Sequence, residues 1–402
     1  RKHRIQSPVD EKSELRFLIP FLFCILHDLL PHMMMKHFLH DNSGRAGFQV
    51  KTEPSRSVPE IYRCFIMTGH NFSGIIKTED HTQKRNGGIA MSSVLCIGSA
   101  VVDIAASPVS RHQSWREKQQ ISDISIHVGG DAVNQSLMLA LLGSEIELSV
   151  AVGPDENGFY LRSMIESRGV GVTYLREKKE LKTGASLVLI DEIGERNIFS
   201  IPGAYTIYDK NDCPKLSDPD LAGLKAISLG SLFNLPVFEA DGLEEFFAEA
   251  KSRGILIFSD LASDTAAHTI GEVRRFLPYM DYFLPSSYDA LEMTETTAVQ
   301  AAAEKYLDLG VKNVIIKCGR DGCYYQNDHV MGTVPSVPVR TVDTTGAGDA
   351  MVAMFLHDTQ AGYSMEEACR RACAGASYTT LFMGASSEQI TREGLLGWIG
   401  SH

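Results

Sequence analysis

From residue 94 onward the sequence predicts an α/β fold, a mostly parallel sheet covered by helices on both faces with a small β layer alongside. Three observations carry this. Short apolar runs alternate with segments of helical period along the whole stretch. Those runs are apolar throughout, as strands buried on both faces are. Two further segments, 104–128 and 184–203, alternate apolar and polar residues and contain no helical period, which sets them apart as a small β lid.

The elements follow in order. Residues 94–102 form the first apolar strand run, and 132–142 an apolar helix closed by Gly143. A strand at 146–152 precedes a helix at 158–166, with Gly169 beyond it. Strands at 226–232 and 255–259 flank a helix at 243–251, and strands at 282–284 and 314–317 continue the series. Helices then cover 347–360, 365–382 and 392–399. Strands regularly separated by helices imply parallel pairing.

The formal net charge of −12 argues against nonspecific binding to nucleic acid or to an anionic membrane. Eight cysteines show no C-x-x-C pair and no Cys/His zinc spacing. The expectation is a thiol-reduced, cytoplasmic protein in which Cys369 and Cys373 share one helix face in the core.

The chemistry is concentrated in Asp343-Thr344-Thr345-Gly346-Ala347-Gly348-Asp349, between a β-rich stretch and an apolar helix. Gly346, Ala347 and Gly348 at a helix entrance leave backbone N–H groups open to an anion, and the helix dipole adds positive charge there. A carboxylate directly after such a nest suits removal of a proton from a hydroxyl that attacks a bound phosphate. The structural alternative is an N-cap turn, with Asp343 or Thr345 capping.

That motif resembles the C-terminal signature of the ribokinase-like (PfkB) carbohydrate kinases. Gly129-Gly130-Asp131-Ala132-Val133-Asn134 is similar to the partner signature of that family, and Lys317-Cys318-Gly319-Arg320-Asp321-Gly322 to its nucleotide loop. Order and spacing match along 92–400. The resemblance implies a three-layer ribokinase-like fold, ATP and Mg²⁺ as cofactors, and a homodimer formed through the lid. It implies Asp349 as general base, with Gly346, Ala347 and Gly348 as the anion hole. Asp103, read as the end of the first strand where parallel sheets present ligand groups, would hold sugar hydroxyls. Gly129, Gly130 and Asn134 would meet the same substrate, and Arg196 on the lid is a further candidate. Lys317, Gly319, Gly322 and Ser286 fall on the nucleotide side. Asp289 is the metal candidate there, while Asp343 and Thr345 are candidates for a monovalent-cation site such as one for K⁺, with Gly384 and Ala385 flanking it.

Three positions depart from the family pattern. Ser286 stands where an Asn is frequent, and Asp260-Leu261-Ala262 where many fructokinase-like members carry Asp-x-Asn. Asp131 stands where relatives acting on phosphorylated sugars, and ribokinases, commonly carry Lys. A carboxylate there favours an unphosphorylated acceptor, and Asn134-Gln135, as in ribokinases, favours a pentose such as ribose. A nucleoside kinase of the same fold and a non-catalytic sugar or nucleotide sensor are the alternatives.

Residues 1–90 have a different composition, with 13 Lys and Arg against 9 Asp and Glu, whereas 91–402 carry 25 against 41. The apolar stretch 17–30 is interrupted by Pro20 and Asp28 and is short of the ~20 residues a membrane span needs. Gly87-Gly88, separated from Met91 by Ile89 and Ala90, can be encoded by a ribosome-binding sequence with its usual spacer. The expectation is that Met91 is the native start and that 1–90 are a non-native or disordered extension. The intact mass of the native protein tests this, and a mass that includes residues ahead of Met91 overturns it.

Overall fold

Successive residues of a strand face opposite sides of a sheet, so a run that is apolar throughout feeds two cores. The computed structural model, which describes residues 93–110, 118–193, 196–261 and 268–402, shows this in its first long-sheet strand. Val94 and Cys96 enter one core while Leu95 and Ile97 enter the other. Two short strands, β1 (Phe38–His40) and β2 (Ala46–Phe48), are also described and pair antiparallel. The chain divides into two units, Arg1–Ser73 and Gly74–His402, and the α/β fold belongs to the second. The expectations for the rest of 1–90, including the stretch 17–30, and for Met91 lie outside the described residues, as does 111–117 of the first lid segment.

The remaining strands are β3 (Val94–Ile97), β4 (Val101–Ser107), β5 (Asp123–Gly129), β6 (Ile146–Val152), β7 (Gly171–Glu177), β8 (Gly184–Ile190) and β9 (Arg196–Ile201). After them come β10 (Ala226–Leu232), β11 (Leu256–Leu261), β12 (Tyr282–Phe283), β13 (Asn313–Lys317), β14 (Cys323–Asn327) and β15 (Met331–Val334). The principal helices are α1 (Asp131–Leu142), α2 (Glu156–Ser167), α3 (Leu243–Ser252), α4 (Ser287–Thr294), α5 (Val299–Asp308), α6 (Ala347–Gln360), α7 (Met365–Thr379) and α8 (Arg392–Ser401). Nine strands form one sheet in the order β15-β14-β13-β12-β11-β10-β3-β6-β7. Every pair from β13 to β7 is parallel, and the β14–β15 hairpin adds an antiparallel edge. Helices α1, α2, α6, α7 and α8 cover one face, while α3, α4 and α5 cover the other. The expected three layers are present.

The chain leaves β3 for β6 on one side and later returns to β10 on the other, so the strand order reverses between β3 and β10. Ligand sites of open α/β sheets lie at the carboxyl ends of strands at such a switch point.

The two alternating segments pair as a separate sheet in the order β5-β4-β8-β9. Here the structure corrects the first strand run. It breaks after Ile97, because Ser99 N–H and Oγ both donate to Asp131 Oδ1, at 2.7 and 2.9 Å, and pin a turn. Asp103 therefore lies inside β4 of the small sheet and does not end the first long-sheet strand. The helix expected over 365–382 is also shorter. It stops at Thr379, and the Thr380 carbonyl accepts from the N–H groups of Val342 and Asp343, at 2.8 and 3.2 Å. Cys369 and Cys373 are buried on α7 as free thiols.

Candidate active site

Helix α6 starts from Gly346, whose φ of 72° is left-handed, and a Cβ there would stand 2.3 Å from that of Ala385. Glycine satisfies both demands. The loop ahead of it is tied by Asp343, which accepts from Thr345 N–H and Oγ1 through one oxygen and from Gly384 N–H through the other, at 2.9, 2.7 and 2.9 Å. The first bond of the helical ladder runs from Ala350 N–H to Gly346 O. The N–H groups of Gly348 and Asp349 precede that ladder, at the positive end of the helix dipole.

The Asp349 carboxylate is held by two amides from α1. Asn134 Nδ2 donates to one oxygen at 2.8 Å, and Gln135 Nε2 to the other at 3.3 Å. Gln135 has its orientation set by its surroundings, since Nε2 also faces Gly230 O at 3.3 Å and Ser228 Oγ donates to Oε1 at 2.7 Å. Asn134 Oδ1 is buried and takes no hydrogen bond from the described protein. The side chain of Asn134 thus bridges to α6 and does not cap its own helix.

Burial pushes the Asp349 carboxyl up to about 7, and the nearby charges of Asp131 and Asp260 add to the rise. The Asn134 hydrogen bond and the Lys317 charge oppose it. Such a value is near the optimum for a base working at neutral pH.

Asp131 is buried between the ends of β3 and β10. A Cβ on Gly98 would lie 2.5 Å from its Oδ1, and one on Gly230 2.5 Å from its Cγ. Oδ1 also accepts from Ala132 N–H at 2.6 Å, and Asn234 Nδ2 donates to Oδ2 at 2.5 Å. This carboxylate is consumed in placing α1, and its charge reaches Asp349 through the protein.

The small sheet turns one polar row toward the same corner. By register Asp103 lies beside His127 on β5 and Ser186 on β8, and Ser186 beside Ser200 on β9. Burial raises Asp103, against the lowering effects of the Ser186 hydrogen bond and the His127 charge, and Asp343 adds to the rise. A Cβ on Gly129 would sit 2.2 Å from Asp103 Oδ2, and one on Gly384 2.8 Å from His127 Nδ1. Gly130 has φ 97°, and a Cβ there would be 2.4 Å from Ser99 O. Arg196 opens β9, and its side chain lies outside the described residues.

On the nucleotide side, Gly319 and Gly322 adopt φ of 56° and 91° around a single turn closed by Cys318 N–H to Gly322 O at 2.7 Å. Lys317 leaves that turn, and its ammonium pairs with Asp260 at the end of β11. Ser286 caps α4, accepting from Asp289 N–H at 3.1 Å and donating to Asp289 Oδ2 at 2.5 Å, and Asp289 is 1% exposed. Among the described residues no group of three or more His, Cys, Asp or Glu side chains is arranged to hold a metal ion.

The structure thus joins Asn134, Asp349, the nest, Asp343 and Lys317 in one corner. The sequence reading had not placed Gln135, Asp260 or His127 in it. Asp260 had a legible signal, a carboxylate at the end of an apolar strand run, and so did Gln135, an amide inside an apolar helix.

A glycine nest facing a clamped carboxylate, at the switch point of a parallel sheet, defines a sugar or nucleoside kinase, and comparison with known proteins agrees. The profile of the pfkB family carbohydrate kinases matches residues 91–392, and the chain belongs to that family. It is 30% identical over 234 residues to an uncharacterized sugar kinase of Archaeoglobus fulgidus, covering 58% of this chain and 90% of the relative. It is 29% identical over 273 residues to the aminoimidazole riboside kinase of Salmonella typhimurium, covering 66% and 81%. The ribokinase of Arabidopsis thaliana, solved with ribose and ATP, superposes with a TM-score of 0.66 at 23% identity, covering 77% of this chain and 99% of that one. Among the described residues no helix is long and apolar enough to cross a membrane.

The raised value of Asp349 has a consequence for stability. A carboxyl moved up from 3.8 to about 7 contributes stability that is complete below the lower value and lost as pH rises through the higher one. Asp349→Asn removes that loss. The melting-temperature difference between variant and wild type is expected to grow as pH rises from ~4 to ~8. A difference that stays flat over this window overturns the assignment.

Proposed function

We propose that this chain transfers the γ-phosphoryl group of ATP, in line, to a hydroxyl of a small unphosphorylated sugar, with Asp349 as the general base. The observation that carries the reading is the pair of amides holding Asp349 at the mouth of the nest. Asn134 spends its N–H on Asp349, so its unpaired Oδ1 is the acceptor that a sugar hydroxyl can satisfy. Asp103 accepts from further hydroxyls, and Gly129 and Gly130 let the sugar approach the backbone. Gly346, Ala347 and Gly348 stabilise charge on the transferred group through N–H donors. Lys317, Gly319 and Gly322 serve the nucleotide, with Ser286 and Asp289 beside its phosphates.

Mg²⁺ needs few protein ligands when it keeps water and phosphate oxygens. On this reading Asp289, held by Ser286, would be the protein carboxylate nearest such an ion, and the ion would neutralise phosphate charge. A monovalent cation at Asp343 and Thr345 would order the loop these residues already tie together.

Carboxylates of Asp103 and Asp349 on the acceptor side disfavour a sugar that already carries phosphate. A ribose-like acceptor is the first choice, in keeping with the Asn134-Gln135 pair. Among its described residues the polar row of the small sheet carries no Phe, Tyr or Trp, its one ring being the His127 imidazole, and Phe199 lies on the opposite face with Leu187, Ile104 and Ile126. His127 is held between Ser125 and Gly384, and the lack of a larger apolar ring supports a free sugar over a nucleoside, whose base would need an apolar stacking surface.

The opposite face of the small sheet exposes an apolar row: Ile126 is 55%, Leu187 41% and Phe199 51% exposed, with Ile124 and Ile201 beside them. A patch of this kind marks a contact surface, and we propose that it forms a homodimer.

ADP release by the full chain, offered ribose, other monosaccharides and nucleosides, tests the activity. Turnover on a free sugar is expected, reduced about 10²–10⁴-fold in Asp349→Asn. In wild type kcat/KM should rise with pH through about 7, where Asp349 loses its proton. Turnover unaffected by the substitution would remove the base assignment. Sedimentation analysis tests the dimer. Leu187→Asp is expected to give a monomer, and a dimer that survives it sinks the interface.

A further inference from the structure

The pairing of Lys317 with Asp260 is not explained by a nucleotide-loop role alone. Lys317 ends β13, where its N–H bonds to Pro285 O at 2.9 Å and its backbone bridges to Ser286. The side chain does not follow the Gly319–Gly322 turn that begins beside it. Instead the ammonium reaches the end of β11 and pairs with Asp260 Oδ2, with Lys317 12% and Asp260 8% exposed. The other oxygen of Asp260 accepts from Leu261 N–H at 2.7 Å, so the carboxylate is fixed from behind. A Cβ on Gly348 would lie 3.5 Å from Lys317 Nζ, which puts the ammonium against the first turn of α6. The charges of Lys317 and Asp260 both act on Asp349, and that of Asp289 acts on Asp260. The pair therefore stands between the proposed base and nest on one side and the proposed metal carboxylate on the other.

A buried ion pair contributes little net stability, because the desolvation of both charges offsets their attraction. An ammonium has three donors, and Asp260 occupies one of them. The others are available to an anion that arrives at the nest. Resting on the kinase reading, we infer that Lys317 is a catalytic cation that grips the γ-phosphoryl group during transfer, and that Asp260 is the positioning residue that holds its ammonium against the nest. In that step the acceptor oxygen forms its bond to γ-phosphorus while the bond to the β,γ-bridging oxygen breaks. The hydroxyl proton goes to Asp349, and ADP leaves with the electron pair. Lys317 exchanges no proton and offsets charge on the moving group. This goes beyond a nucleotide-loop lysine, because it predicts recognition of the γ-phosphate alone.

The test compares wild type with Lys317→Met, Lys317→Arg, Asp260→Asn and the double variant Lys317→Met/Asp260→Asn. The double variant leaves no uncompensated buried charge, so it serves if Lys317→Met fails to fold. Calorimetric affinities for ADP and for a non-hydrolysable ATP analogue are measured beside kcat. Removal of the ammonium is expected to lower kcat about 10²–10³-fold. It should weaken the ATP analogue by about tenfold while ADP affinity stays within roughly threefold, with Lys317→Arg recovering part of both effects. Asp260→Asn is expected to lower kcat with ADP affinity retained. Equal weakening of ADP and the ATP analogue, or an unchanged kcat, overturns the inference. Absence of ADP release by wild type with every acceptor would instead count against the kinase reading. The selective loss of the ATP analogue would still report on Lys317.

Discussion

The hydrogen bonds from Asn134 and Gln135 to Asp349 join the starts of two helices 215 and 214 residues apart in sequence, and the candidate site depends on that junction. A carboxylate at a helix start can point in several directions. Two amides from a second helix reduce these to one, provided that the second helix is itself fixed. Asp131 supplies the fixation by filling the space that Gly98 and Gly230 leave at the ends of adjacent strands β3 and β10. The topological switch of the sheet is thereby converted into a position for α1, and α1 into a position for Asp349.

The same anchor sets the small sheet. Ser99 bonds to Asp131 through both its N–H and its hydroxyl, and the turn it makes sends the chain out as β4. Asp103 and Asp349 thus refer to one buried carboxylate, although they lie on different sheets and helices. The glycines around Asp131 have the complementary role. At Gly98, Gly130 and Gly230 any side chain would collide with the anchor or with Ser99. Sequence spacing, close packing and site geometry are three views of one constraint here.

Much of this was legible in the sequence, and the reason is local. Apolar runs specify strands buried on both faces, and Gly-Ala-Gly-Asp specifies a helix entrance open to an anion, so the α/β layers and the nest followed from patterns a few residues long. The strand break at Gly98 was not legible, because it depends on Asp131, 32 residues away from its partner Ser99. Asp131 itself was read as a substrate-facing charge, and only the strand ends that enclose it show it as a packing group. Lys317 followed the same rule. Its turn suggested a nucleotide loop, yet the direction of the side chain is decided by Asp260 from another strand. Residues whose role is set by neighbours close in sequence were readable, and those placed by tertiary partners were not.

The charges around Asp349 also form a balance that no single motif expresses. An exposed aspartate is ionised at neutral pH but is a weak base, since its proton affinity is far below that of an alcohol's conjugate base or of a neutral-pH buffer group. Burial together with Asp131 and Asp260 brings Asp349 up toward neutrality. Unopposed, the same influences would leave it protonated and useless for accepting a proton. The Asn134 amide and the Lys317 ammonium, which favour the ionised form, limit the rise to about 7. Each therefore has two functions on the proposed reading. Asn134 offers its oxygen to the acceptor, and Lys317 faces the nest, while both hold the base in the range where it can be ionised before the reaction and protonated by it. Geometry and acid strength are set by the same contacts, so neither can be altered alone.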